Sequence, residues 1–198
     1  MTENELKTLD FARAFFGEAH DSIHQERKYT YEPYRTHTEA VEALFATIYP
    51  NCLTGRIACF GHDYKEDVLT HKDCSAYYLE TNRVLEFFGP DVDFVIDALT
   101  HKYTKEAYPD ENRNWRKNQE AIRLGYYGAS KLGEIIHSAK LCDFIDNTEG
   151  TAGIVQYDKK FVETYLKEKE FALRHLTQGH RLLQQRAWTS LNNGLAQL

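Results

Sequence analysis

Ala58-Cys59-Phe60-Gly61-His62-Asp63-Tyr64-Lys65-Glu66-Asp67 passes within a few residues from a small, apolar run to a charged one. The pattern predicts a helix over 55–67, with Ile57, Ala58 and Phe60 on its apolar part. Adjacent helical residues project about 100° apart, so His62 and Asp63 can both reach one cation if other groups complete its shell. Glu66 follows His62 by four residues and Asp67 follows Asp63 by four. Each carboxylate is thereby expected one turn beyond a potential ligand, on the same helix face. An isolated His-Asp pair is more often a solvated helix end with a satisfied histidine. Here the apolar run makes the pair emerge from a buried helix. Buried ionisable groups need partners, and a metal is one way to supply them.

Helical periodicity extends outward from this stretch in both directions. Leu6, Leu9, Ala12, Phe15, Phe16 and Ala19 recur at spacings of three and four, as one face of a helix does. Pro33 breaks the pattern within 29–36. Thr36 then reads as an N-cap with Glu39 completing a capping box, before a helix burying Ala40, Val41, Leu44, Phe45 and Ile48. Further helices are expected over 74–88, stopped by Gly89-Pro90, then through Val92, Val95, Ile96 and Leu99. Others follow over 115–124 and through Ile135, Ile136, Ala139, Leu141 and Cys142. A long amphipathic stretch from Asp158 carries Phe161, Tyr165, Phe171, Leu173, Leu176, Leu182 and Leu183. No alternating strand pattern of useful length is present. The expected fold is all-α and multi-helix: one domain over 1–198, with 155–198 a C-terminal helical extension packed on it.

Composition bounds the function classes. With 198 residues, 42% hydrophobic and 27% charged, the chain is suited to folding around a core. Its 24 Lys and Arg against 30 Asp and Glu give a formal charge of −6, which argues against bulk nucleic-acid binding but leaves room for a local basic pocket. The 4 cysteines include no C-x-x-C pair, so neither a disulfide scaffold nor a structural zinc cluster is expected. The charged start shows no signal peptide, and no run approaches the ~18 apolar residues of a membrane helix. A cytoplasmic protein without membrane partners is expected; oligomerisation is compatible with the sequence.

Two other segments offer ligands. His37 opens the second helix after Glu32-Pro33-Tyr34-Arg35-Thr36, and Asp143 sits late in an apolar helix ending Asp143-Phe144-Ile145-Asp146-Asn147. Alone, each has an ordinary reading, as a capping histidine and a hydrogen-bonded carboxylate. Together with His62 and Asp63 they make a His₂Asp₂ set.

In that order, H…HD…D, the sequence resembles the HD superfamily of metal-dependent phosphohydrolases, and within it the alarmone-hydrolase branch. Several segments carry the resemblance, from about Phe11 to Asn147 and on towards Leu176. Phe11 to His20, Arg27-Lys28 and Glu32 to His37 resemble the branch's opening helix, basic loop and first ligand. His62-Asp63-x-x-Glu66-Asp67 resembles its H-D-x-x-E-D box. Asn114-Trp115-Arg116-Lys117 resembles its basic helix, and Ala139 to Asn147 its A-K-L-A-D-x-x-x-N segment. Val68 and Leu69 stand before Thr70 where the branch usually has Thr at once, and Asp146 stands where it has His or Tyr.

The resemblance implies an HD-domain fold and metal ligation by His37, His62, Asp63 and Asp143. The metal implied is Mn²⁺, with other divalent transition metals as alternatives; mixed imidazole and carboxylate ligation suits it. It implies Glu66 and Asp67 as the catalytic acid–base pair. Arg27, Lys28, Arg116 and Lys117 would hold phosphates, and Asn147 and Tyr165 would contact the nucleoside. For the four cations ordinary solvated surface is the alternative, and for Tyr165 core packing. The implied activity is removal of the 3′-pyrophosphate from (p)ppGpp-like nucleotides. An HD-type 5′-nucleotidase or deoxynucleoside triphosphohydrolase is the alternative, and an inactive nucleotide-binding sensor the alternative from another class.

Overall fold

The computed structural model describes residues 1–28, 30–80, 83–150 and 158–198. Among them no strand occurs, only an isolated bridge between Glu26 and Pro33, and the fold is all-α as expected. The chain divides into two compact units, Met1–Thr100 and His101–Leu198. No helix of the described residues is long and apolar enough to cross a membrane.

In the first unit, α1 (Glu3–Ser22) starts at a capping box. The Glu5 N–H donates to the Thr2 hydroxyl at 3.2 Å, and the Thr2 N–H to the Glu5 carboxylate at 2.7 Å. It ends without glycine. His24 takes the left-handed conformation, φ 53°. The Gln25 N–H then reaches back to the His20 carbonyl at 3.1 Å and the His24 N–H to that of Asp21 at 2.9 Å, the bond pair of a Schellman motif.

Helix α2 (Arg35–Ala46) begins a residue before the expected cap. The Thr36 hydroxyl donates to the Pro33 carbonyl at 2.9 Å, and Glu39 accepts from Arg13 Nε at 2.8 Å. The expected capping box therefore does not form, because both of its side chains have other partners.

Helix α3 (Leu53–Gly61) is the core of this unit, packing on α1, α2 and α6 (Pro90–Leu99). Ile57, Ala58, Cys59, Phe60 and Gly61 are consecutively buried, as in a helix covered on all sides. Gly61 is there for space. A Cβ would lie 2.6 Å from Phe16 Cζ and from Ile96 Cδ1, both on fully buried side chains. Gly61→Ala should therefore destabilise the protein by ~1–3 kcal/mol through overpacking, read as a lower urea midpoint.

The helix expected to run on to Asp67 stops at Gly61. A separate π-helical turn, Tyr64–Val68, follows. Between them Asp63 sits at φ −102°, ψ 0°, a bridge-region conformation that breaks the α-helical ladder. Two short helices, α4 (Ala76–Leu79) and α5 (Arg83–Phe88), replace the single one expected over 74–88. Helix α4 ends because Glu80 turns to extended backbone, ψ 118°. Helix α6 starts as the Gly89-Pro90 pair suggests: Gly89 takes φ 83°, and Pro90 opens the first turn.

The second unit holds α7 (Arg113–Tyr127), α8 (Gly133–Glu149), α9 (Lys159–Leu173) and α10 (Arg181–Leu195). Helix α8 packs on the other three. Its buried histidine is matched to two partners. His137 Nε2–H donates to the Leu124 carbonyl at 2.8 Å, while its Nδ1 accepts from the Gln178 N–H at 3.1 Å. That is a neutral core histidine, and burial lowers its pKa accordingly. The start of the C-terminal extension expected over 155–198 lies outside the described residues. From Asp158 onward the chain forms α9 and α10, and both pack on α8.

Candidate metal centre

His37, in the first turn of α2, and His62, the residue closing α3, bring their Nε2 atoms to 3.2 Å of one another. Asp63 Oδ2 lies 2.9 Å from His62 Nε2 and 3.9 Å from His37 Nε2. The three ligand atoms all fall within 4.8 Å of each other. His37 and His62 are 1% and 2% exposed, so water does little to satisfy them.

Tautomer and orientation follow from the surroundings. The Cys59 carbonyl, 2.8 Å from His62 Nδ1, can only accept, so Nδ1 carries the proton and the Nε2 lone pair faces the cluster. Asp63 Oδ2 is held by the Tyr34 hydroxyl, which donates at 2.5 Å. The Tyr34 ring stands edge-on to His37, centroids 5.3 Å apart. Two imidazoles and a carboxylate with converging lone pairs and outer partners that orient them are the donor chemistry of a first-row divalent cation. The residues fit such an ion. Sequence reasoning gave Tyr34 no role; its place three residues before His37, hence on the same helical face, was the available signal.

The carboxylate pair lies beyond the break. The Asp67 N–H donates to the Asp63 carbonyl at 2.8 Å, so Asp67 is one turn past Asp63 even though the turn belongs to a π-helix. Lys65 anchors that turn, its Nζ 2.7 Å from Asp93 and 3.7 Å from Asp97 on α6. Tyr64 anchors it from inside, its hydroxyl donating to the Tyr78 carbonyl at 3.0 Å. Burial pushes the Asp67 carboxyl up to about 7, Asp63 and Glu66 push the same way, and the Gln25 amide opposes them. A carboxyl with that value is poised to exchange a proton near neutral pH.

Arg27 and Lys28 sit in a loop whose stem is closed by backbone bonds. The Tyr34 N–H donates to the Gln25 carbonyl at 3.0 Å and the Arg27 N–H to that of Glu32 at 2.8 Å. The stem residues Gln25 and Tyr34 are the ones whose side chains hold Asp67 and Asp63.

The remaining expected site residues belong to the second unit. Asp143 is buried, its carboxylate accepting from Lys140 Nζ at 2.7 Å and from Asn147 Nδ2 at 2.5 Å. Lys117 and Tyr165 line one cavity of about 90 Å³, whose wall also carries His101, Arg113, Lys140 and Lys169. Lys169 Nζ lies 5.1 Å over the Tyr165 ring, and burial raises that phenol's pKa well above its ordinary value. Arg113 is engaged by Glu168 through bonds of 2.6 and 2.9 Å. Arg116 is not among the residues lining that cavity; its guanidinium donates to the Glu111 carbonyl.

No family model matches the chain, and neither does any curated protein. Among solved structures, it is similar to a metazoan ortholog of SpoT that hydrolyzes ppGpp and plays a role in starvation responses. The TM-score is 0.68 at 18% sequence identity, over 98% of this chain and 96% of that one. The likeness is one of fold, and the chain shares the all-α architecture of that protein.

Proposed function

We propose that this chain is a metal-dependent phosphohydrolase that removes the 3′-pyrophosphate from (p)ppGpp-like alarmone nucleotides, with residues 1–198 acting as one HD-type domain in the cytoplasm. The observation that carries the reading is the convergence of His37, His62 and Asp63 with a half-buried, pKa-shifted Asp67 one turn away. The fold neighbour is described as hydrolysing ppGpp, which supports the substrate class. His37, His62 and Asp63 would hold the ion, and the sequence pattern assigns Asp143 as the fourth ligand. Mn²⁺ suits the mixed donors. When bound, the ion supplies positive charge that acidifies water and offsets charge building on the phosphoryl oxygens.

The chain's own groups do the rest. Glu66 and Asp67 orient the attacking water and take its proton. Its oxygen bonds to phosphorus as the P–O3′ bond breaks, and the departing 3′ oxygen is protonated by the same pair. Arg27, Lys28, Arg116 and Lys117 clamp the substrate's phosphates, and Asn147 and Tyr165 contact the nucleoside, as the resemblance implies.

The test is a nucleotide panel with Mn²⁺, covering ppGpp, a deoxynucleoside triphosphate and a 5′-monophosphate, with the phosphate product identified. Pyrophosphate from ppGpp alone supports the reading. Triphosphate or orthophosphate from the other two overturns it in favour of the related HD activities, and no product from any means a binding protein. The loop cations add a second check. Replacing Arg27 and Lys28 together by Ala should raise KM for ppGpp at least ~10-fold, the scale of losing charge-assisted hydrogen bonds. The effect on any monophosphate turnover should be smaller, since that substrate offers less charge to clamp. Equal effects would count against an alarmone substrate.

A further inference from the structure

Gln25 occupies an unusual position for an uncharged side chain. Its Nε2 donates to Asp67 Oδ2 at 2.7 Å, and its Oε1 lies 2.6 Å from Nδ1 of His20. With Asp67 ionised, as a base must be, its carboxylate only accepts, so the Gln25 nitrogen faces Asp67 and the oxygen faces His20, which then carries its proton on Nδ1. His20 is fully buried, and burial keeps it neutral. Among the described residues its Nε2 has no hydrogen-bond partner, so the hydrogen bond the ring makes there is the one to Gln25.

The backbone explains how two residues five apart come to touch. The left-handed His24 turns the chain at the end of α1, and the Gln25 N–H bonds back to the His20 carbonyl at 3.1 Å. Side chain and main chain of Gln25 are thus both tied to His20. The His20 ring also lies against Tyr34, centroids 4.9 Å apart, and Tyr34 holds Asp63. The stem of the loop bearing Arg27 and Lys28 therefore ends in two side chains, one on Asp67 and one on Asp63.

We infer that Gln25 is a positioning residue for the reaction: backed by His20, its carboxamide holds Asp67 in the rotamer that meets the attacking water. The inference rests on Asp67 belonging to the acid–base pair, and it places a further residue, outside the H…HD…D pattern, in the working of the site. A side chain without such a backing bond would leave Asp67 free to rotate, and a catalytic carboxylate displaced by an ångström loses much of its effect.

A double-mutant cycle tests it. Gln25→Met keeps length and bulk but removes both hydrogen bonds. It is expected to lower kcat ~10-fold or more, the usual scale for losing an orienting outer partner, while leaving KM and metal content unchanged. In an Asp67→Asn background the same substitution should cost less than ~2-fold, because the group it positions is already gone. A full additional loss in the double variant would overturn the inference, as would loss of the metal from Gln25→Met alone. Should the wild type turn over none of the nucleotides, the functional reading fails and the positioning inference is decided by ¹⁵N NMR of His20. The Nδ1–H tautomer is expected in the wild type and its loss in Gln25→Met; an Nε2–H tautomer in the wild type would refute the arrangement.

Discussion

His62→Ala should yield a folded chain that holds no divalent ion and shows no phosphohydrolase turnover. His62 contributes nothing to the helix that carries it except a terminal residue. The apolar run from Ile57 to Gly61 remains in place, so helix content by circular dichroism should be close to that of the wild type. What disappears is the central donor of the cluster, whose Nε2 sits 3.2 Å from that of His37 and 2.9 Å from Asp63 Oδ2. The Cys59 carbonyl loses its partner as well, a local cost of about 1–3 kcal/mol. Removing an ion that supplies several kcal/mol of transition-state stabilisation corresponds to a rate loss of ~10³-fold or more. Metal analysis of the dialysed protein and an activity assay read the two effects separately. Full metal occupancy and a normal rate in this variant would show that the cluster is not the metal site.

The parts of the fold that the sequence disclosed are those where one strong local rule acts alone. Gly89-Pro90 marks a helix start because φ 83° and a missing N–H both favour it there, and the apolar repeat of α1 survives as a buried face. The candidate pair His62 and Asp63 stands out for the same reason, since adjacent donor side chains on an emerging helix end leave a local trace. Other features depend on partners distant in sequence. The Thr36 cap lost to Pro33, and Glu39 to Arg13. The helix through Asp67 broke at Asp63, and the following turn is fixed by Tyr78 and by Asp93 on α6. Gln25 could not be singled out at all, because its role follows from a left-handed turn at a histidine, where sequence rules look for glycine. The resemblance implies Arg116 as a phosphate contact from its place in the basic segment, and that place does not reveal that the Glu111 carbonyl also engages its guanidinium.

Asp67→Asn should slow turnover at least ~10²-fold, the scale of losing general acid–base help, while making the metal-free protein more stable at alkaline pH. Glu66→Gln should show a rate loss of similar size with the metal retained; an empty site would make Glu66 a ligand. The stability effect is specific to Asp67 and its sign follows from linkage. In the unfolded chain this carboxyl ionises near its ordinary value of ~4, whereas in the folded, metal-free protein burial and the Asp63 charge raise it to about 7. Between those values the folded state keeps a proton that the unfolded state has released. Stability therefore falls as pH rises through that window, and the full cost, on the order of 4 kcal/mol, is present above it. Asparagine keeps the shape and can still accept from Gln25 Nε2, but has no charge to bury. Urea unfolding of the two metal-free proteins should give equal midpoints near pH 4 and a higher midpoint for the variant at pH 8. Addition of Mn²⁺ should narrow the gap at pH 8, since a cation beside Asp63 compensates the charge that destabilised the wild type. A variant less stable than the wild type at pH 8 would mean that Asp67 is ionised at no cost, and that the site has no stored drive to accept a proton.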